Sequence, residues 1–145
     1  MGSRAELTSV LNLKGYRVTA VEWAETPGAL RLCVWMERRG LRGYPCNGCG
    51  ARTWHVRDAT PRTWEDLPWA TSRVTLVYRH RRVVCRQCGI RTERVAFADA
   101  HARITRRLRQ VIGLDGQSMP TSHAAVRHGV SWGTARRAER AFLNA

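Results

Sequence analysis

One short unit occurs twice in this chain: Cys46 and Cys49 followed by Gly50, then Cys85 and Cys88 followed by Gly89. Two thiolates with two residues between them can curl onto one metal ion, and the glycine permits the close backbone turn of a knuckle. Two such pairs supply the four ligands of a tetrahedral zinc site, with Cys46, Cys49, Cys85 and Cys88 as the expected ligands. The 35 residues at 50–84 exceed a short loop, so they are expected to hold strands that bring the knuckles together, as in a zinc ribbon with an extended insert. A disulfide or redox pair, an iron–sulfur centre and unliganded thiols are the alternatives. A redox C-x-x-C is expected at the start of a helix, and neither pair leads into a helical pattern. Four thiolates leave no open coordination position, so the zinc is expected to be structural. His55 and His80 flank the site and, with four cysteines present, read as surface or packing residues. Cys33 has no such partner and reads as a small buried side chain.

The apolar pattern before the second knuckle is that of strands. Residues 6–13 suggest one or two helical turns, and 16–24 is rich in β-branched and aromatic residues. The stretch is broken at Thr26-Pro27-Gly28, after which Leu30, Leu32, Val34 and Met36 alternate with their neighbours. An antiparallel hairpin over 16–37 is predicted. A long strand follows at 72–84, with Val74, Leu76 and Tyr78 on one face and Thr75, Val77 and Arg79 on the other, and 90–97 suggests a returning strand. Trp54, Trp64 and Trp69 are expected to fill the core of this small unit, and a base-stacking platform is the competing reading.

From about residue 100 the period changes to that of a helix. Ile104, Leu108, Val111 and Ile112 fall on one face, and Gly113 with Asp115-Gly116 ends the segment. Thr121 or Ser122 can cap a second helix through 128, Gly129 supplies a tight turn, and Ser131 can cap a third helix to about 143. The last two suit a helix-turn-helix, although any small three-helix motif shares the apolar spacing. Ala135, Ala138 and Phe142 form the predicted inward stripe. Trp132, Gly133, Arg136, Arg137 and Arg140 remain outside. Ser131, Trp132 and Thr134 would lie nearest base edges, Arg136, Arg137 and Arg140 would reach bases or phosphates, and Arg127 is a phosphate candidate.

Charge points the same way. The formal net charge is +14, divided as +3 over 1–44, +5 over 45–100 and +6 over 101–145. Such a chain attracts polyanions, of which nucleic acid is the common one, with membrane surface or simple solubility as competing explanations. All but Lys14 of the basic residues are Arg, which favours pairing with phosphates and guanines, although a G+C-rich genome would give the same bias. No apolar run reaches the length of a membrane span and no secretory signal is visible, so a cytoplasmic, nucleoid-associated protein is expected.

The order of CNGCG, then RTWEDLPWATSRVTLVYRHRRVVCRQCG, then HGVSWGTARRA resembles the amino-terminal half of the ISL-three family of bacterial insertion-sequence transposases. The resemblance covers about residues 11–143, and its most specific part is the DLP phrase at 66–68 ahead of a basic strand that ends in the second C-x-x-C. It implies a zinc-binding domain with the four cysteines as ligands and a helix-turn-helix whose DNA-reading helix is Ser131 to Arg140. The family continues into a ribonuclease-H-like catalytic domain with an acidic triad. The eleven acidic residues here form no carboxylate cluster suited to two-metal chemistry, so no catalytic residues and no enzymatic activity are expected of this chain. The fold expected is α+β, with a β-rich zinc-ribbon-like domain at 1–98 and a three-helix helix-turn-helix segment at 99–145. The function expected is sequence-specific binding of double-stranded DNA, as the end-recognition part of a transposase or as a stand-alone relative. A protein-interaction or regulatory module is the alternative, with a second copy or a full-length transposase as partner.

Overall fold

A computed structural model describes residues 3–26 and 29–144. The turn expected at Pro27-Gly28 lies outside the described residues. Helix α1 (Arg4–Leu11) opens with a capping box in which the Ser3 side chain accepts from the Glu6 N–H and the Glu6 carboxylate accepts from the Ser3 N–H. Strands β1 (Tyr16–Thr26) and β2 (Ala29–Arg38) form the predicted antiparallel pair. The short strands β3 (Tyr44–Pro45) and β4 (Arg52–Thr53) flank the first knuckle. Two 14-residue strands follow, β5 (Val56–Trp69) and β6 (Ser72–Cys85), and β7 (Gly89–Thr92) returns from the second knuckle.

The main sheet has the order β1-β2-β6-β5, and β7 pairs with the far end of β6. Strand β6 lies between neighbours, antiparallel to β5 and parallel to β2. That central place explains why both faces of its middle are buried, including Thr75 and Val77 on the face expected to be the outer one. Strand β5 is absent from the sequence reading. It contains Pro61 and Pro68 and five charged side chains, a composition that argues against an interior strand. As the last strand of the sheet it needs ladder bonds on one side only, and so tolerates both prolines. The returning strand ends at Thr92 rather than reaching 97, because Glu93 turns into the core and residues 93–105 run along other elements.

The core under the sheet gathers Leu11, Tyr16, Val34, Leu76, Tyr78, Trp64 and Phe97, with Tyr16 packed edge-on against both Tyr78 and Phe97. Trp64 is buried and Trp69 packs against this cluster, as expected. Trp54 is not a core residue. It is 64% exposed and meets only the edge of Tyr44, because it sits beyond β4 at the rim of the knuckle.

A second core is built by α2 (Arg106–Asp115), α3 (Thr121–His128) and α4 (Trp132–Leu143) around Leu108, Ile112, Ala125, Ala135 and Ala138. Three local readings change. Ile104 precedes α2 rather than belonging to it, bridging to Glu65 while Thr105 caps the helix. Gly113 does not end α2. It is the point where α4 approaches so closely that an added Cβ would lie 2.6 Å from that of Phe142 and 2.9 Å from the Ala138 carbonyl oxygen. Finally, Pro120 occupies the α3 cap position instead of Thr121 or Ser122, since the Thr121 hydroxyl donates to the buried Glu139 at 2.8 Å. The inward stripe of α4 consists of Ala135 and Ala138, whereas Phe142 sits at the rim, 37% exposed.

Sheet and helices meet at Asp66. Its buried carboxylate accepts from the Thr105 hydroxyl at 2.7 Å and from two branches of the Arg107 guanidinium, one at 2.8 Å. Arg107 also donates to the Leu11 carbonyl at the end of α1. The next residue, Leu67, packs into the helical core. The D-L-P phrase is therefore the seam between the two cores. Removing one partner of a buried, hydrogen-bonded pair leaves the other charge uncompensated. Asp66→Ala is expected to cost about 3–5 kcal/mol of stability in urea unfolding, with amide protection lost first in α2 and retained longest in β6.

Candidate metal centre and nucleic-acid interface

Each cysteine pair lies at the tip of a hairpin. Cys46 and Cys49 join β3 to β4, and Cys85 and Cys88 join β6 to β7. The two tips are sewn together by backbone contacts: Cys46 bridges to Glu93, the Asn47 N–H donates to the Thr92 carbonyl at 3.1 Å, and the Arg94 N–H donates to the Pro45 carbonyl at 2.8 Å. All four sulfurs consequently lie within 4.8 Å of one another, with Cys49 and Cys85 at 3.5 Å. A tetrahedron with zinc–sulfur bonds of about 2.3 Å sets its sulfurs about 3.8 Å apart. The donor set and spacing fit a structural zinc ion. Gly48 belongs to this fit, because a Cβ there would lie 2.9 Å from the Cys88 sulfur.

Among the described residues this is the group of side chains able to hold a metal, and it contains no histidine or carboxylate. His55 is exposed. His80 packs against Trp64 and donates from Nε2 to the Glu93 carbonyl at 2.7 Å, and burial lowers its pKa. Cys33 is half-buried within β2, away from the cluster.

The thiols do not ionise alike. The N–H groups of Cys88 and Gln87 bring the Cys85 thiol down to about 7, whereas its hydrogen bond with Cys49 pushes the Cys88 thiol up to about 12. Four thiolates this close repel one another unless a cation sits among them. Metal entry must therefore expel protons.

Sequence reasoning missed the support behind the knuckles. Glu93 is buried and is met by the Tyr78 hydroxyl at 2.8 Å, the Arg38 Nε at 2.8 Å and the Arg81 backbone N–H at 3.0 Å. It fixes the strand residue that bridges Cys46, and nothing in the local pattern around Glu93 announces that role.

At the opposite end of β6 stands the helix-turn-helix. Gly129 closes α3 in the left-handed conformation at φ +65°. Ser131 caps α4 by accepting from the Thr134 N–H at 3.1 Å. Trp132 is 59% exposed, and Ser131, Arg137 and Arg140 also face solvent. Arg137 is steadied by Thr134 at 3.2 Å. Arg136 differs from its neighbours, since it pairs with Glu139 at 3.1 Å and is partly covered. Arg127 on α3 extends into solvent 3.7 Å from Asp115. The residues singled out from the sequence thus run along α4 from its cap to its last turn, with Arg127 on α3 and Arg136 committed to an internal pair.

Two outcomes are expected of the metal centre. Because protons and zinc compete for the same sulfurs, zinc affinity measured against a chromophoric chelator should fall as the pH is lowered through the thiol range, and most steeply below about 7, where Cys85 protonates as well. Replacing Cys85 by Ser should reduce bound zinc in the purified chain and loosen the β3–β4 and β6–β7 hairpins, seen as faster amide exchange there than in α2–α4.

Comparison with known proteins agrees with this geometry. Residues 43–88 match a family profile described as the zinc-finger of transposase IS204/IS1001/IS1096/IS1165. Residues 93–142 match the helix-turn-helix domain of transposase family ISL3, the ISL-three family. The whole chain is 34% identical over 146 residues to the transposase for insertion sequence element IS1001 of Bordetella parapertussis, and spans 36% of that protein's length. No solved structure matches. With the thiol cluster in the first matched segment and the Ser131-capped helix in the second, the chain carries the zinc-ribbon and helix-turn-helix domains of the ISL3 transposase family.

Proposed function

We propose that this chain binds double-stranded DNA in a sequence-specific manner, as the part of a transposase that recognises the ends of its element. The observation that carries this reading is α4: a helix capped at Ser131, turned out from α3 by Gly129, and presenting Trp132, Arg137 and Arg140 to solvent with Thr134 half-buried beside them. A recognition helix enters the major groove by its amino-terminal part, where its side chains reach base edges. Arg127, on the preceding helix, is placed to meet a phosphate. Arg136 contributes to the field but, held by Glu139, acts mainly in fixing α4 against the start of α3. Zinc supports the interface from a distance. The site of action is accordingly the bacterial nucleoid. No helix among the described residues is long and apolar enough to cross a membrane.

The alternative, a protein-interaction module, has its own observation. Leu67, Val111, Leu114, Ala138 and Phe142 line an apolar groove between α2 and α4. Association of two copies through it would appear in sedimentation as a dimer that Leu114→Asp abolishes, and a monomer at all concentrations would remove that reading.

Selection from a random duplex pool with the zinc-loaded chain is expected to enrich one sequence at moderate salt. Enrichment of none would end the specific-binding proposal. On the selected duplex, Arg137→Ala and Arg140→Ala should each cost about 1–3 kcal/mol if they contact bases, whereas Arg136→Ala should also lower the melting temperature.

A further inference from the structure

The sheet itself reaches the DNA-reading end of the molecule. Arg73, the second residue of β6, lies against the turn between α3 and α4, where a Cβ built on Gly129 would fall 1.6 Å from a guanidinium nitrogen. The left-handed φ of +65° at Gly129 favours glycine for its own reason. The guanidinium occupies the space a side chain would need. Gly129 precedes the Ser131 cap of α4 by two residues, so a cation at this turn stands beside the end of the recognition helix that approaches a duplex.

Among the described residues, no carboxylate pairs with the Arg73 guanidinium. Arg73 shares a recess with Thr71, Arg127 and His128, and with the carboxylates Glu65 and Asp66. Both carboxylates are engaged elsewhere: Glu65 is held by Arg31 at 2.7 Å and by the Thr75 hydroxyl at 2.8 Å, and Asp66 by Arg107 and Thr105. On the helical side, Asp115 takes His128 at 2.5 Å and lies 3.7 Å from Arg127. Two guanidinium groups, one from the sheet and one from α3, therefore flank the same recess next to the helix-turn-helix turn.

The geometry points to Arg73 as a contact to a DNA backbone phosphate, which makes the β5–β6 turn a second point of attachment beside the recognition helix. This rests on the DNA-binding reading above. A phosphate contact carries no sequence information of its own. It fixes how deep and at what angle α4 sits, and it brings the zinc-bearing sheet into the interface.

The test uses the zinc-loaded full chain and two labelled duplexes, the selected sequence and a scrambled one, titrated across a series of salt concentrations. Arg73→Gln keeps much of the side-chain length without the charge, and Arg73→Lys keeps the charge; thermal unfolding reports whether each variant is folded. Arg73→Gln is expected to weaken both duplexes by the same factor and to reduce the salt dependence by about one ion, while Arg73→Lys retains the wild-type slope. Unchanged affinity and slope in Arg73→Gln, with Arg137→Ala still weakening binding, would show that Arg73 only fills the turn and would overturn the inference alone. A loss confined to the selected duplex would make it a base contact and overturn the phosphate assignment. If the unaltered chain bound neither duplex, this inference and the DNA-binding reading would fall together.

Discussion

The sheet buries a carboxylate whose countercharge comes from the helical segment. Asp66 finds its countercharge in Arg107 and a hydrogen bond in Thr105, both at the start of the helical segment. An uncompensated buried charge costs several kcal/mol, so the sheet end at β5 and the start of α2 are each stable only in the presence of the other. Arg107 extends the dependence to a third element by donating to the last carbonyl of α1. The orientation of the helical unit relative to the zinc ribbon follows from this seam.

Glu93 repeats the device at the other end of the molecule, where Tyr78, Arg38 and Arg81 surround it behind the knuckles. Between the two carboxylates runs β6, with Arg73 at its beginning and Cys85 at its end. At about 3.3 Å per residue that strand separates the metal from the helix-turn-helix by roughly 40 Å. Zinc at the knuckles therefore lies far from α4, and it holds one end of a strand whose other end, at Arg73, reaches the turn between α3 and α4.

Much of this was legible in the sequence, and the parts that were not share a cause. Cysteine spacing and the caps at Ser131 and Gly129 are local, and each was found where it was expected. Strand β5 was hidden because its prolines and charges suit only an edge, and edge position is a property of the whole sheet. Trp54 was placed in the core on its residue type, yet β4 carries it past the rim. Gly113 looked like a helix terminator because its real partner, Phe142, is distant in sequence. The pairing of Arg136 with Glu139 was local, at three residues' spacing, but Glu139 is committed by Thr121 from another helix, which turns a surface arginine into a structural one. For β5, Gly113 and Arg136 the deciding neighbour came from elsewhere in the chain.

The parallel pairing of β2 with β6 has a consequence for how the chain is assembled. Arg31 aligns with Arg73 and Met36 with Tyr78, so closing this pair brings together segments separated by both short strands, the first knuckle and all of β5. The entropy of closing a loop grows with its length, and contacts between distant segments are late to form. Hairpins such as β5–β6 and β6–β7 close short loops by comparison. A metal ion gripping both knuckles ties off most of the intervening chain, leaving a smaller conformational search for β2. A metal ion bound across the long spacing between the cysteine pairs would thus convert one distant encounter into two nearer ones.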